Sequence, residues 1–161
     1  MERHCLYKMK SSPWVVDIYS TFQDMINIYI QMELMKGPEL WDKIKFFGIV
    51  DRNFRKLIMY WITQAVDAMH SEGIIHRDIK PENIMFNGKM NKIKFIDFGS
   101  AKDVNNPEIK GAGNSSTGRR VFHNFVGTPN YMAPECLHDK ETGSYSDVFS
   151  LGILILFIII K

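Results

Sequence analysis

The chain is poor in several things, and each shortage excludes a class of protein. It has 2 cysteines in 161 residues, Cys5 and Cys136, far apart and without metal-ligand spacing. Neither a disulfide framework nor a zinc ribbon is expected from them; they read as buried or incidental thiols of a reducing compartment, which makes a cytoplasmic protein the expectation. Charge of neither sign dominates: 20 Lys and Arg stand against 18 Asp and Glu, and the net +2 argues against a nucleic-acid surface and a polybasic membrane patch. No apolar core lies between Met1 and Lys10, so no signal peptide is expected. The apolar run from Val148 to Ile160 falls short of the roughly 18–20 residues that span a bilayer. A core helix is the expectation there, with a membrane anchor as the alternative. No internal repeat is present. What is left, 45% apolar and 24% charged residues, is the balance of one globular domain with a sizeable core.

Periodicity divides the chain. Met1 to Met9 reads as the end of a helix, stopped by Ser11-Ser12-Pro13. Trp14 to Phe22 and Asn27 to Met35 are rich in aromatic and branched residues and predict two strands joined by a polar turn at Gln23-Asp24. After Lys36-Gly37-Pro38, the spacing of Leu40, Trp41, Ile44 and Phe47 predicts a helix over Glu39 to Phe47. Asp51 to Ser71 is the clearest helix, with Phe54, Leu57, Ile58, Trp61, Ala65, Ala68 and Met69 as its core stripe, an acidic start at Asp51 and a stop at Gly73. Short strands are expected between Ile74 and Ile96, with a turn at Asn87-Gly88. Asn105 to Arg120 has no periodicity and reads as a flexible loop.

Two segments carry chemistry. His76-Arg77-Asp78-Ile79-Lys80-Pro81-Glu82-Asn83 offers a carboxylate (Asp78) to a hydroxyl nucleophile, a cation (Lys80) to a moving phosphate and an amide oxygen (Asn83) to a metal. Asp97-Phe98-Gly99 adds a second carboxylate, Asp97, suited to Mg²⁺, on a loop that Gly99 keeps tight. Any one of these residues could be a surface charge in a turn. In this order and spacing they specify phosphoryl transfer, a chemistry that works by positioning and by neutralising charge.

On these segments the chain resembles the eukaryotic protein kinases. Gly127-Thr128-Pro129-Asn130-Tyr131-Met132-Ala133-Pro134-Glu135 is similar to the end of the activation segment. Ser146-Asp147-Val148-Phe149-Ser150-Leu151-Gly152 is similar to the start of the central C-lobe helix, with Phe149 in place of the usual tryptophan. The resemblance implies an α+β fold, a partial bilobal kinase domain over 1–161. Residues 1–35 would be an N-lobe remnant of a helix and two strands. Residues 36–161 would be a mainly α-helical C-lobe truncated after its central helix, with the activation segment at 97–135.

The resemblance also implies transfer of the γ-phosphoryl of ATP, with Mg²⁺, to a protein substrate, and Lys80 resembles the serine/threonine-specific members. Catalytic roles would fall on Asp78, Lys80, Asn83, Asp97 and Thr128. Asn83 and Asp97 would be the metal ligands, and Thr128 would hydrogen-bond towards Asp78 and Lys80. Met32 would sit behind the adenine, Glu33 and Met35 would offer backbone hydrogen bonds to it, and Glu39 would reach the ribose or a basic substrate residue. Glu2, Lys80, Glu82, Asn83, Met85 and Asp97 complete the implied ATP-binding set. Glu2 would be the helical glutamate that pairs an ATP-binding lysine, or else a solvated helix residue. Asp147 would accept backbone N–H groups of the catalytic loop, and Glu135 would anchor the activation segment by an ion pair. Leu6, Ile18, His76 and Phe98 would stack as an apolar spine, all four buried.

Within that superfamily, Phe125-Val126-Gly127-Thr128, Asp97-Phe98-Gly99-Ser100-Ala101-Lys102 and Ser20-Thr21-Phe22-Gln23-Asp24 resemble the AGC group, above all the 3-phosphoinositide-dependent kinases. That implies indirect membrane recruitment if a lipid-binding domain exists outside this chain. The chain departs from the pattern in three ways. A glycine-rich phosphate loop and a strand lysine are expected upstream of Met1. Further helices, with the arginine that pairs Glu135, are expected downstream of Lys161. A fragment is therefore expected, crippled on its own and with uncovered apolar faces on Asp51 to Ser71 and Val148 to Ile160. Asn124 stands where Ser or Thr is usually phosphorylated, leaving Arg77 and Lys102 without that anion. The segment is then expected to be ordered without modification at 124, or through Ser115, Ser116 or Thr117. The rival reading is a catalytically inactive pseudokinase or a regulatory fragment that binds a partner kinase.

Overall fold

In a computed structural model, which describes residues 1–48, 51–106, 113–114, 120–123, 127–134, 136 and 141–161, the chain begins with helix α1 (Glu2–Lys8). Cys5 and Leu6 are its buried face, and Ser11 ends the turn after it with a φ of 72°. Strands β1 (Ile18–Gln23) and β2 (Ile28–Met32) pair antiparallel, Gln23 opposite Ile28. Asp24 closes the turn: its Oδ1 accepts the Ile26 and Asn27 N–H groups at 2.7 and 2.6 Å.

Both strands are shorter than their composition predicts. Trp14 to Val16 leave the hairpin for another strand, where the Trp14 carbonyl accepts the Phe95 N–H at 2.8 Å and Val16 donates to the Phe95 carbonyl at 3.0 Å. Residues 33–35 form a linker, since the Glu33 N–H donates to the Asp17 carbonyl at 2.8 Å. β-Propensity marks such residues as extended without naming their partner.

The expected helix over Glu39 to Phe47 is a short α-turn, α2 (Leu40–Asp42), that widens into a π-turn over Lys43–Phe47. Gly37 lets this connection approach the next strand, because a Cβ there would stand 2.3 Å from the Phe86 carbonyl oxygen. Helix α3 (Arg52–Ser71) follows, capped by Asp51, whose side chain accepts the Phe54 N–H at 2.8 Å. It stops at Gly73, with a φ of 74°. Its buried face is Ile58, Trp61, Ile62, Ala65, Val66 and Met69. That face is rotated from the predicted stripe: Ile62 and Val66 replace Leu57, which is exposed on the flank.

Four short strands come next: β3 (Ile74–Ile75), β4 (Ile84–Phe86), β5 (Ile93–Phe95) and β6 (Lys102–Asp103). β4 and β5 pair antiparallel around the turn expected at Asn87-Gly88, and β3 pairs antiparallel with β6. The loop expected over Asn105 to Arg120 is corrected where it is described. β7 (Gly113–Asn114) pairs with β8 (Arg120–His123), and β8 pairs with β9 (Glu141–Thr142). Two-residue ladders are too short to write a period into the sequence.

Helix α4 (Ser144–Ile160) buries Leu151, Leu154 and Ile158, and its Phe157 ring stacks on Trp41 at 5.7 Å. Among the described residues no helix is long and apolar enough to cross a membrane. Val148, Leu156, Ile159 and Ile160 of α4 and Leu57 and Tyr60 of α3 are exposed. The architecture is α+β, with a helix and hairpin leading into a mainly helical portion. One core runs through both, with Leu6, Ile18, Met69, Phe86, Phe95 and Phe98 fully buried in it. Each such side chain contributes about 1.5–3 kcal/mol by leaving water.

Candidate active site

Strand pairing places two loops side by side. Residues 76–83 connect β3 to β4, and residues 96–101 connect β5 to β6. Since β3 pairs with β6 and β4 with β5, each loop is held at both ends by the strands that hold the other. The Ile96 N–H donates to the Asn83 carbonyl at 3.1 Å, so Asp97 emerges beside Asn83.

Asp78 is the centre of the first loop. The Thr128 hydroxyl donates to its Oδ1 at 2.8 Å, and Lys80 Nζ stands 2.8 Å from its Oδ2. Lys80 Nζ also donates to Thr128 Oγ1 at 2.8 Å, closing a triangle. The Asn83 amide nitrogen donates to Asp78 Oδ2 at 3.1 Å and to the Asp78 carbonyl at 2.9 Å. Burial pushes the Asp78 carboxyl up, but the Lys80, Thr128 and Asn83 hydrogen bonds and the Lys80 charge outweigh it and hold the group below its ordinary pKa. Thr128 reaches the loop because Gly127 has a φ of 109°; a Cβ there would lie 2.5 Å from the Arg77 carbonyl oxygen.

The loop rests on Asp147 of α4, which is 1% exposed. Asp147 Oδ2 accepts the His76 N–H at 2.8 Å and Oδ1 the Arg77 N–H at 2.7 Å. His70 of α3, which no local pattern singles out, places Nε2 2.8 Å from Oδ2. These bonds hold Arg77 at a φ of 66°, a conformation that costs a non-glycine residue about 1–3 kcal/mol. Asp147→Asn would put an amide N–H against backbone donors, so urea denaturation is expected to show a loss of about 1–3 kcal/mol for a buried donor left unpaired.

Leu6, Ile18, His76 and Phe98 are all 0% exposed. The His76 ring packs against Phe95 and Phe98, with centroids at 5.2 and 5.1 Å, and burial keeps it neutral, below its ordinary pKa. Its Nδ1 accepts the Asp78 N–H at 3.3 Å.

Asp97 is exposed, and its Oδ1 accepts the Gly99 N–H at 2.8 Å. Glu2 of α1 lies near it and is partly buried. Burial first, then the Asp97 charge, pushes the Glu2 carboxyl up, against a smaller pull from the Phe98 backbone. The donor set suits Mg²⁺: Asn83 spends its NH₂ on Asp78, which leaves its amide oxygen for a metal, and the Gly99 N–H occupies Asp97 Oδ1, not Oδ2. Among the described residues no group of three His, Cys, Asp or Glu forms a closed cage. Mg²⁺ takes one or two protein ligands and fills its shell with water and substrate phosphate, so two ligands fit.

The implied adenine residues line the linker. The Glu33 N–H is already committed to Asp17, which leaves its carbonyl for a base. The Glu33 side chain turns away to Lys94, with Oε2 2.6 Å from Nζ, and Asp17 Oδ2 meets the same ammonium at 3.2 Å. Burial would lower the Lys94 pKa, but Glu33 and Asp17 raise it. Met32 and Met35 pack at the edge of the core, and Glu39 stands opposite Met85 in an isolated antiparallel bridge. Glu82 lies near Tyr131, with Oε2 buried and unpartnered among the described residues. Burial, then the Glu82 charge, pushes the Tyr131 phenol up to about 12. Arg77 Nε donates to the Ser100 carbonyl at 2.6 Å. Asn124, the Ser115, Ser116 and Thr117 sites and the Glu135 anchor lie outside the described residues.

A protein kinase domain model matches residues 1–161. Serine/threonine-protein kinase PKH2 of Saccharomyces cerevisiae is 39% identical over 158 residues, which cover 96% of this chain and 14% of that protein. Serine/threonine-protein kinase ksg1 of Schizosaccharomyces pombe is 33% identical over 158 residues, 96% of this chain and 26% of its own length. Human 3-phosphoinositide-dependent protein kinase 1 is 39% identical over 143 residues, 89% of this chain and 24% of its own. These relatives agree with the AGC resemblance drawn from the motifs, and the chain spans well under a third of each.

Proposed function

This chain belongs to the protein kinase family, with serine/threonine kinases as relatives, and we propose that its parent protein transfers the γ-phosphoryl of Mg-ATP to serine or threonine hydroxyls of a protein. The observation that carries this reading is the Asp78, Lys80 and Thr128 triangle, closed at 2.8 Å on each side, beside Asn83.

Asp78 is ionised and fixed in direction, so a hydroxyl entering beside it is oriented by donating to its carboxylate and can pass its proton there as it attacks. Lys80 lies on the same side and places a cation towards the phosphoryl in transit. Thr128 ties both side chains to the segment that would meet the substrate. Asn83 and Asp97 would hold the metal ion, which when bound offsets phosphate charge. The Glu33 carbonyl and the Met35 backbone would meet the adenine, with Met32 behind it, Met85 in the same nucleotide site and Glu39 reaching the ribose or a basic substrate residue. Most of this work is positioning and electrostatics, which is where such catalysts gain their rate.

The test is phosphoamino acid analysis after incubating the full-length protein with γ-labelled ATP and a mixed protein substrate. Label is expected on serine and threonine, none on tyrosine, and none in EDTA. Label on tyrosine, or nucleotide binding without transfer, would overturn the reading, and the second result would favour a regulatory module.

A further inference from the structure

Asp147 and Asp103 are the two carboxylates of the described residues that are nearly sealed from solvent, at 1% and 3% exposed. The first supports the catalytic loop; the proposed chemistry leaves the second without a task. Asp103 is gripped from α1. Lys8 Nζ donates to its Oδ1 and Oδ2 at 3.0 and 2.9 Å, and His4 Nε2 lies 2.8 Å from Oδ2. The Asn105 N–H completes the set, donating to Oδ1 at 2.8 Å. His4 and Lys8 stand one turn apart on one helix face, so a single carboxylate reaches both. Among the described residues, the Lys8 ion pair and the His4 hydrogen bond from α1 both end on Asp103. Burial raises the Asp103 pKa, but the His4, Lys8 and Asn105 hydrogen bonds outweigh it and keep the group ionised.

Asp103 is itself a fixed post. It pairs across β6 and β3 with Ile74, two residues before His76, and the next residue, Val104, donates its N–H to the Gly73 carbonyl at 2.8 Å. At the far end of α1, Glu2 is partly buried beside Asp97. A helix of 7 residues does not set its own position; packing of Cys5 and Leu6 and this ionic clamp must do so.

We infer that Asp103 is a positioning residue: through His4 and Lys8 it sets α1 against the β3–β6 pair that carries the His76 and Asp97 loops, and so keeps both loops in their working places. The clamp is made of side chains alone and needs no modification, in a chain whose residue 124 is Asn. Its effect on turnover rests on the phosphotransfer reading above; its effect on α1 does not.

The experiment follows hydrogen–deuterium exchange at Glu2–Lys8 and Phe98 in the full-length protein, together with kcat per folded molecule. Asp103→Asn is expected to speed exchange at both places and to lower kcat by about ten- to a hundredfold, with the KM for ATP changed less. Lys8→Met works from the half-exposed side and is expected to move both readouts the same way, while Lys8→Arg, which keeps the charge, restores them. Wild-type exchange and kcat in Asp103→Asn and Lys8→Met would overturn the inference, as would faster exchange with unchanged kcat. If the wild-type protein transfers no phosphate, the functional reading fails separately, and exchange at α1 and Phe98 alone decides for or against the clamp.

Discussion

Asp78→Asn is expected to lower kcat by about 10²–10⁴-fold, the range for removing a positioned proton acceptor, while the KM for ATP stays within about twofold. Asparagine keeps the shape and one acceptor oxygen, so Thr128 can still donate to residue 78 and the loop keeps its support from Asp147. What is lost is the charge that orients and receives the hydroxyl proton. The pH profile gives a second reading. The folded pKa of Asp78 is depressed, so its stabilising contacts are fully present above the unfolded carboxylate pKa and fade as pH falls through the folded one. The acid limb of kcat/KM due to Asp78 is therefore expected below the ordinary aspartate range. A limb near neutrality that vanishes in Asp78→Asn would contradict that assignment.

Asp97→Ala is expected to lower kcat/KM by about 10²–10³-fold or more, as loss of preorganised charge stabilisation does. Asp97 is exposed, and its side chain accepts the Gly99 N–H at 2.8 Å, so the stability read in urea should change by no more than a surface substitution does, about 0.5 kcal/mol. Removing its charge also relieves Glu2, whose carboxyl is pushed up in part by Asp97. Calorimetric titration is the check: Mg²⁺ should no longer strengthen ATP binding in the variant. Unchanged Mg²⁺ dependence would remove Asp97 from the metal site.

The candidate chemical residues were readable in the sequence, and their supports were not. Asp78, Lys80, Asn83 and Asp97 sit in two short segments whose residue types state their chemistry, and the resemblance added Thr128 and Asp147. Partners joined across long stretches of chain left no local trace. His4 and Asp103 are 99 residues apart, His70 and Asp147 77, and Glu33 and Lys94 61. A lone His or Lys on a helix reads as a solvated charge until the fold brings its carboxylate to it. The same limit explains Trp14 to Val16, where branched and aromatic residues announce a strand but cannot say that Phe95 is its neighbour. The face of α3 was found in outline and missed by part of a turn, because Leu57 and Ile62 are equally apolar and only the packing of the fold separates them.

The most direct test of the proposed chemistry is a single-turnover measurement on the full-length protein, with ATP binding followed by calorimetry in the same preparation. Label from γ-labelled ATP should appear on a protein hydroxyl in one exponential phase, lost in EDTA and slowed in Asp78→Asn while ATP still binds. Saturated Mg-ATP binding with no label transferred by the wild-type protein would contradict it, and would leave the site as a nucleotide-binding module.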